Sequence, residues 1–226
     1  MKNTTQFQSE CYIKVYWHDL FIQAGAYILQ SNRKFGLVNS TGIAMIPNNF
    51  VLSDRIVLYC QNKIETLLLS ELTPVANLFL KNSGISYFRL NNYYHELSYS
   101  DIYVQFVKKI ILNVSDVFNS IFNYTYKHLS KRHYDHKIIS SIESVQNQFI
   151  NCAILFEKTR NLLSSNIQLS QIQFIISKLL DALNILSKLG GARAVLKNNV
   201  IELMFHLKMF EKFIYGHLES FQKVHF

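Results

Sequence analysis

Glycine and proline are scarce in this chain, with seven and two residues among 226. Average usage would supply roughly 27. A fold made mostly of tight turns is therefore excluded, and long uninterrupted elements are expected. Cysteine is scarce as well. Cys11, Cys60 and Cys152 are three, far apart and without a C-x-x-C pair, which points to neither a disulfide framework nor a zinc site and fits a reducing compartment. Charged residues are few, at 17% against 49% hydrophobic, a composition that excludes disorder. The start, MKNTTQFQSECYIKVYWHDLF, lacks the apolar run of a signal peptide. No window reaches the roughly 20 consecutive apolar residues of a membrane-spanning helix. The expectation is a cytoplasmic chain without membrane association.

The net charge is +8. Residues 1–100 carry eight Lys/Arg and six Asp/Glu, and residues 101–226 carry fifteen and nine, so the excess lies in the second part. A field of one sign can draw in nucleic acid, phosphorylated cofactors or acidic proteins, and the sign does not choose among them. The densest basic stretch is Lys131-Arg132-His133-Tyr134-Asp135-His136-Lys137. A solvated helix end explains it as well as a binding site does.

Two periodicities divide the chain. From about Tyr27 to Val104, short apolar runs alternate with turn residues. Phe50–Leu52, Ile56–Cys60, Thr66–Leu69, Tyr87–Leu90 and Glu96–Tyr99 read as strands, with Ile102–Val104 closing the sheet. Pro47-Asn48-Asn49, Gln61-Asn62-Lys63 and Asn82-Ser83-Gly84 punctuate them. Beyond Val104 the spacing becomes helical. Ile110, Val114, Val117 and Ile121 form one stripe, Ile142, Val145, Phe149, Cys152, Phe156 and Leu163 a second. Ile172, Ile175, Leu179, Leu183 and Leu186 form a third, and Val200, Leu203, Leu207, Phe210 and Ile214 a fourth. The fold expected is α+β: an N-terminal segment over 1–26, a small antiparallel β domain over 27–105 and a four-helix up-and-down bundle over 106–226.

Few motifs carry chemistry. There is no GxSxG and no Walker loop. His128, His133 and His136 lack the i, i+4 spacing that sets two imidazoles on one helix face, so no metal site is expected.

A small β region followed by four long helices resembles the middle and C-terminal domains of the acyl-CoA dehydrogenase family. Leu97-Ser98-Tyr99-Ser100-Asp101-Ile102-Tyr103-Val104 is similar to the family's L-x-F-x-D-V-x-V strand. Ile46-Pro47-Asn48-Asn49 and then Ser53-Asp54-Arg55-Ile56-Val57-Leu58 resemble its W-I-T/S-N and A-D elements. Arg132 to Ile139 followed by Ile142 to Gln146 falls in register with R-x-x-F-G-x-x-I and F-Q-x-x-Q. Gly190-Gly191-Ala192-Arg193 matches the G-G-x-G turn. The resemblance runs over roughly residues 30 to 220, and on it the family's N-terminal helical domain is missing.

The resemblance implies a bundle of the acyl-CoA dehydrogenase C-terminal type and a set of cofactor-binding positions. Arg132 would reach the pyrophosphate of a flavin dinucleotide in a neighbouring subunit, and Gly190 and Gly191 would let backbone approach the dinucleotide closely. FAD, if bound, would then sit at a subunit interface. Other positions depart from the family. The aromatic and glycine of R-x-x-F-G are Asp135 and His136, its glutamine is Glu143, and the tryptophan and hydroxyl that cover the flavin ring fall on Ile46 and Asn48. The glutamate of I-Y-E-G, which removes the α-proton of the acyl thioester, is replaced in Ile214-Tyr215-Gly216-His217. Glu211 and Glu219 stand one helical turn away, about 6 Å along the axis.

Three functions follow as expectations. The first is a truncated acyl-CoA dehydrogenase-like protein that does not oxidise a thioester and acts as a binding or assembly subunit, pairing with itself or with a full-length relative. The alternative is a flavin-dependent oxidoreductase acting on an acyl thioester with a displaced base, its catalytic residue unknown. A nucleic-acid module, drawing on charge alone, is the least favoured. Phe205, Phe210 and Phe213 are expected to supply an exposed pairing surface.

Overall fold

The computed structural model describes residues 17–29, 34–60, 63–75, 84–91, 101–191 and 200–215. Helix α1 (Trp17–Leu29) comes first. Six strands follow: β1 (Phe35–Val38), β2 (Ile43–Pro47), β3 (Arg55–Tyr59), β4 (Ile64–Leu68), β5 (Thr73–Val75) and β6 (Ile85–Arg89). Helix α2 (Asp101–Leu129), a hairpin of β7 (His133–Tyr134) and β8 (Lys137–Ile138), and helices α3 (Glu143–Ser164), α4 (Leu169–Gly190) and α5 (Val200–Ile214) complete it.

The sheet order is β4-β3-β1-β2-β6-β5. All neighbours are antiparallel except β1 and β3, which run parallel with Phe35 opposite Val57. The sheet is thus mixed rather than purely antiparallel. Its two edge strands, β4 and β5, are joined by a single 3₁₀ turn at Leu69–Glu71. Six flat strands would set those edges about 24 Å apart, while the chain from Leu68 to Thr73 spans at most about 17 Å. The sheet must therefore curl. Val38, Ala44, Ile46, Ile56, Leu58, Cys60, Phe88 and Leu90 fill the inside, and Leu69 and Leu72 from the linking turn close it.

The opposite face of the sheet, with Phe35, Leu37, Met45, Tyr59 and Tyr87, joins α1 and the bundle in one continuous core. Helix α1 lies within this core through Trp17, Leu20, Phe21 and Ala24. The i, i+3, i+4, i+7 spacing of those residues is visible in the sequence, yet this helix falls where only an N-terminal segment was expected.

In the bundle, α2 buries Tyr103, Phe106, Val107, Ile110, Ile111, Val114, Phe118 and Ile121, each large side chain adding about 1.5–3 kcal/mol of transfer free energy. The remaining three expected stripes fall on α3, α4 and α5 and are largely buried. Helix α4 is long and apolar enough by composition to cross a membrane. Here Leu169, Ile172, Ile175, Ile176, Leu179, Ala182, Leu183 and Leu186 are packed inside the bundle, while Gln171, Gln173, Asp181 and Asn184 stay on its exposed side together with Phe174, 57% exposed.

Several local expectations need correction. Ile102–Val104 is the first turn of α2, not a strand, because Tyr103 begins a stripe of 3.6-residue period whose burial outweighs β propensity. Phe50–Leu52 is a turn, held by the Val51 N–H donating to Asp54 Oδ2 at 2.8 Å. Glu96–Tyr99 lies outside the described residues. Helices α1 and α2 run unbroken across positions 26–27 and 105–106.

Candidate functional site

After Leu129 the chain turns out of α2 and back within a two-residue hairpin. Asp135 and His136 both take positive φ, 47° and 63°, the pair of dihedrals of a type I′ turn, whose twist matches that of its flanking strands. Residues 131–138 are all exposed. Arg132 is anchored through its backbone, its carbonyl accepting from Ile139 N–H at 2.8 Å. Its guanidinium has no hydrogen-bond or ion-pair partner among the described residues. Lys131, Arg132, His133, His136 and Lys137 thus share one protruding loop with a single carboxylate, Asp135. Glu143 follows in the first turn of α3, where a negative charge is favoured by the helix dipole.

Side-chain contacts fix the direction of each helix. Tyr126 meets Phe149, Phe118 stacks on Phe156 and Lys108 Nζ donates to the Ser165 carbonyl, so α2 and α3 are antiparallel. The four-residue turn between α3 and α4, and the Tyr215 hydroxyl donating to the Leu169 carbonyl at 2.9 Å, set the remaining helices alternately up and down. Arg132 and Gly190 accordingly lie at one end of the bundle and Tyr215 at the other.

Gly190 ends α4. Gly191 has φ 55° and ψ −137°, and its N–H donates to the Lys188 and Ser187 carbonyls. A Cβ built there would meet nothing within 4 Å, so the dihedral rather than the space requires glycine. Residues 192–199 lie outside the described residues.

The sheet packs on the other end of α2. Phe106 lies 5.3 Å from Phe35, 5.3 Å from Phe21 and 6.3 Å from Tyr59, centroid to centroid. Phe21 stacks on Phe35 at 5.4 Å, and Tyr87 meets Phe213 edge-on at 6.0 Å. These rings and α1 fill the crevice between sheet and bundle. From Phe106 to Leu129 the helix rises about 35 Å, and Arg132 lies beyond that.

Two cavities lie elsewhere. One of about 790 Å³ is lined by Asp101, Val104, Gln105, Lys108 and the turn from Asn166 to Ser170. The other, about 570 Å³, lies between α4 and α5 and is lined by Ser170, Gln173, Ser177, Asp181, Lys208 and Glu211 among others. Glu211 is 7% exposed and accepts from Lys208 Nζ at 2.7 Å. Burial pushes the thiols of Cys60 and Cys152 up to about 12, which leaves neither a nucleophile at neutral pH.

No family profile matches the chain and no curated protein matches it. Solved structures do. A 3-HSA hydroxylase from Rhodococcus sp. RHA1 is similar over 90% of this chain and 72% of its own, at 5% identity and a TM-score of 0.53. An FAD-dependent dehydrogenase is similar over 79% and 61%, at 12% identity and 0.51. A glutaryl-CoA dehydrogenase from Mycobacterium smegmatis, solved with FADH2, covers 84% and 60%, at 13% identity and 0.49. The fold is acyl-CoA dehydrogenase-like. The chain spans about three fifths of the length of both dehydrogenases, and at these identities the likeness is one of fold.

Within an acyl-CoA dehydrogenase-like fold, the positions resembling the flavin-covering element can be tested for fit. Ile46 is 0% exposed and sits inside the curl of the sheet. Asn48 Oδ1 accepts from the Ser86 hydroxyl and its N–H donates to the Gly84 carbonyl. With the crevice filled by α1 and the aromatic cluster as well, these residues do not fit a flavin ring held within this subunit. Asp54 is a turn former that bonds Lys34, which lowers its carboxyl pKa. Gly216, His217 and Glu219 lie outside the described residues. Phe210 and Phe213 are 1% and 0% exposed, which corrects their expected role as surface. They face Trp17 and Tyr87, and Phe205 alone of the three is exposed, at 39%.

Two polar residues carry structural weight that the sequence analysis missed. Asn39 is fully buried in the β1–β2 turn. His206 is 7% exposed, stacked on Trp17 at 5.8 Å, with Nε2 3.6 Å from Glu202 Oε1. Its Nδ1 is buried without a hydrogen-bond partner among the described residues. The i, i+4 spacing of Glu202 and His206 is legible in the sequence; the burial of His206 against Trp17 of α1 is not.

Proposed function

We propose that this chain is a binding or assembly subunit of acyl-CoA dehydrogenase type. It does not itself oxidise a thioester, and it pairs with a second copy or with a catalytically complete relative. The observation that supports this reading most is the separation of its two ends. Among the described residues Arg132 has no hydrogen-bond or ion-pair partner for its guanidinium, and it projects more than about 35 Å along α2 from its own sheet, where side chains fill the crevice against the bundle. A guanidinium so placed is out of reach of a ligand at its own sheet–bundle junction. It is available to the pyrophosphate of a flavin dinucleotide held by a neighbouring chain, through charge-assisted hydrogen bonds. Gly190, at the same end of the bundle, fits a close backbone approach to that group. The free, buried thiols of Cys60 and Cys152 support a cytoplasmic setting.

Purification tests the reading. Alone, the chain is expected to be colourless, and added flavin dinucleotide should not raise its melting temperature, since a ligand bound to the native state must stabilise it. Co-purified with a full-length flavin-bearing relative, it should raise the partner's flavin retention, and Arg132→Ala should remove that gain. A yellow protein from the chain alone would sink the proposal.

A second reading has one observation in its favour. Glu211, held by Lys208 at the α4–α5 cavity, is a carboxylate that a flavin-dependent oxidoreductase could use as a displaced base. That reading requires flavin absorbance and a loss of turnover in Glu211→Gln.

A further inference from the structure

Glu211 is a carboxylate set among hydrocarbon. Met209, Phe210, Phe213 and Ile214 beside it on α5 are all buried, and its own side chain is 10% exposed. A buried ionised carboxylate is costly unless its oxygens are hydrogen-bonded, and an oxygen left over calls for an explanation. Oε2 accepts from Lys208 Nζ at 2.7 Å. Oε1 has no hydrogen-bond partner among the described residues. Glu211 forms part of the wall of the cavity of about 570 Å³ between α4 and α5, which leaves Oε1 as an acceptor at that wall.

Helix α4 supplies the facing wall. Gln173, Ser177 and Asp181 follow one another at four-residue spacing and so share one edge of the helix. The side chains of Gln173 and Ser177 make no hydrogen bond among the described residues. Asp181 accepts from Lys178 Nζ at 3.2 Å. Phe174, 57% exposed, and Leu180 add apolar surface on either side of that edge. A cavity of this size, with apolar flanks and a few polar groups, is of the kind that takes a small molecule.

The charges choose the ligand. Two carboxylates, Asp181 and Glu211, and one ammonium, Lys208, line the cavity, so its wall is acidic in a chain of net charge +8. Lys178 offsets Asp181 from outside the lining, and the Lys208 side chain is 54% exposed, where water screens its charge. An anion is repelled by this wall. A divalent cation needs about six oxygens, and Lys208 already stands on the most buried carboxylate. A protonated amine brings a single charge and N–H donors, which match an ionised acceptor with unfilled lone pairs.

We propose that the α4–α5 cavity binds a small primary amine, its ammonium donating to Glu211 Oε1 and its carbon body lying between Phe174 and Leu180. Gln173 and Ser177 meet any further polar group on it. Glu211 is then an anchor rather than a base. The site uses no residue of the basic hairpin, so it stands apart from the pairing of chains proposed above.

Titration of the whole chain with n-pentylamine and with phenethylamine, at neutral pH and fixed ionic strength, tests it through backbone amide chemical shifts. Saturable shifts centred on Ser177, Asp181 and Glu211 are expected. n-Pentanol and pentanoate, similar in length but without the positive charge, should bind at least about tenfold more weakly. Glu211→Gln should weaken amine binding about tenfold, with thermal melting as the fold control. Ser177→Phe alters an exposed helix position and fills the cavity, so it should abolish binding even if Glu211→Gln does not fold. The absence of saturable shifts with either amine, equal binding of pentanol, or amine binding that survives Glu211→Gln or Ser177→Phe would overturn the proposal. None of these results bears on a partner's flavin retention, which tests the pairing separately.

Discussion

The side-chain amide of Asn39 donates to the carbonyl of Phe213 at 3.0 Å, tying the β1–β2 turn to the last turn of α5 across 174 residues of sequence. The same side chain's Oδ1 accepts from Thr41 N–H, Thr41 Oγ1 and Ile43 N–H at 2.9 to 3.0 Å. One fully buried residue thus shapes the turn and joins sheet to bundle. Asn39→Ala leaves those groups without their partner, a loss of about 2–4 kcal/mol. Asn39→Asp keeps the turn bonds but sets a carboxylate against the Phe213 carbonyl. Urea denaturation should show both variants strongly destabilised; an unchanged midpoint for Asn39→Asp would mean that the bond to Phe213 contributes nothing.

His206 makes stability depend on pH. Burial lowers its pKa below the ordinary value, and the nearby Glu202 opposes this in part. The unfolded chain then takes up the proton first as pH falls. Stability from this residue is complete above about 6.5, the unfolded value, and is lost as pH drops from there toward the folded value. His206→Phe keeps the stacking on Trp17 and removes the titration. Its denaturation midpoint should change less than that of wild type between mildly alkaline and mildly acidic buffer.

Gly25 and Gly191 should respond differently to alanine. A Cβ on Gly25 would stand 2.0 Å from Phe35 Cζ, and Phe35 is held between Phe21 and Phe106, so the ring has nowhere to go. Gly25→Ala is expected to cost about 1–3 kcal/mol by overpacking. At Gly191 the added carbon is unobstructed and the cost is that of its backbone dihedrals, about 1–2 kcal/mol. Melting temperatures of the single variants check the first. A Gly191→D-Ala semisynthetic variant, which tolerates positive φ, should recover the second.

The hairpin carrying Arg132 can be stabilised without touching it. Asp135 and His136 both occupy positive φ, where Asn-Gly is the preferred pair. Asp135→Asn/His136→Gly should raise stability by about 0.5–1 kcal/mol, measurable as a higher melting temperature.

The helices of the bundle were legible because each stripe is a local property. Leu179, Leu183 and Leu186 must share a face whatever lies opposite, since 3.6 residues make a turn. Arg132 could likewise be placed in the turn between the first two bundle helices, from the break in periodicity around it. The run Ile102-Tyr103-Val104 misled because three β-favouring residues are too few to show whether their period is two or 3.6, and the burial of Tyr103 decided it. The departures at Ile46 and Asn48 were readable in the sequence, whereas their consequence was not, because the inward orientation of Ile46 follows from the curl.

What the sequence determined by itself is the scarcity of turns, the four amphipathic helices, the short β runs before them and the basic loop between the first two helices. All of these rest on contacts between near neighbours in the chain. Tertiary structure alone decided the parallel pairing of β1 with β3, the closing of the sheet by Leu69 and Leu72, and the seating of α1 in the crevice between sheet and bundle. It also decided the distance between Arg132 and its own sheet. These join residues far apart in sequence, and which apolar surface covers which is chosen by packing density and hydrogen-bond satisfaction over the whole molecule, quantities that no window of sequence contains.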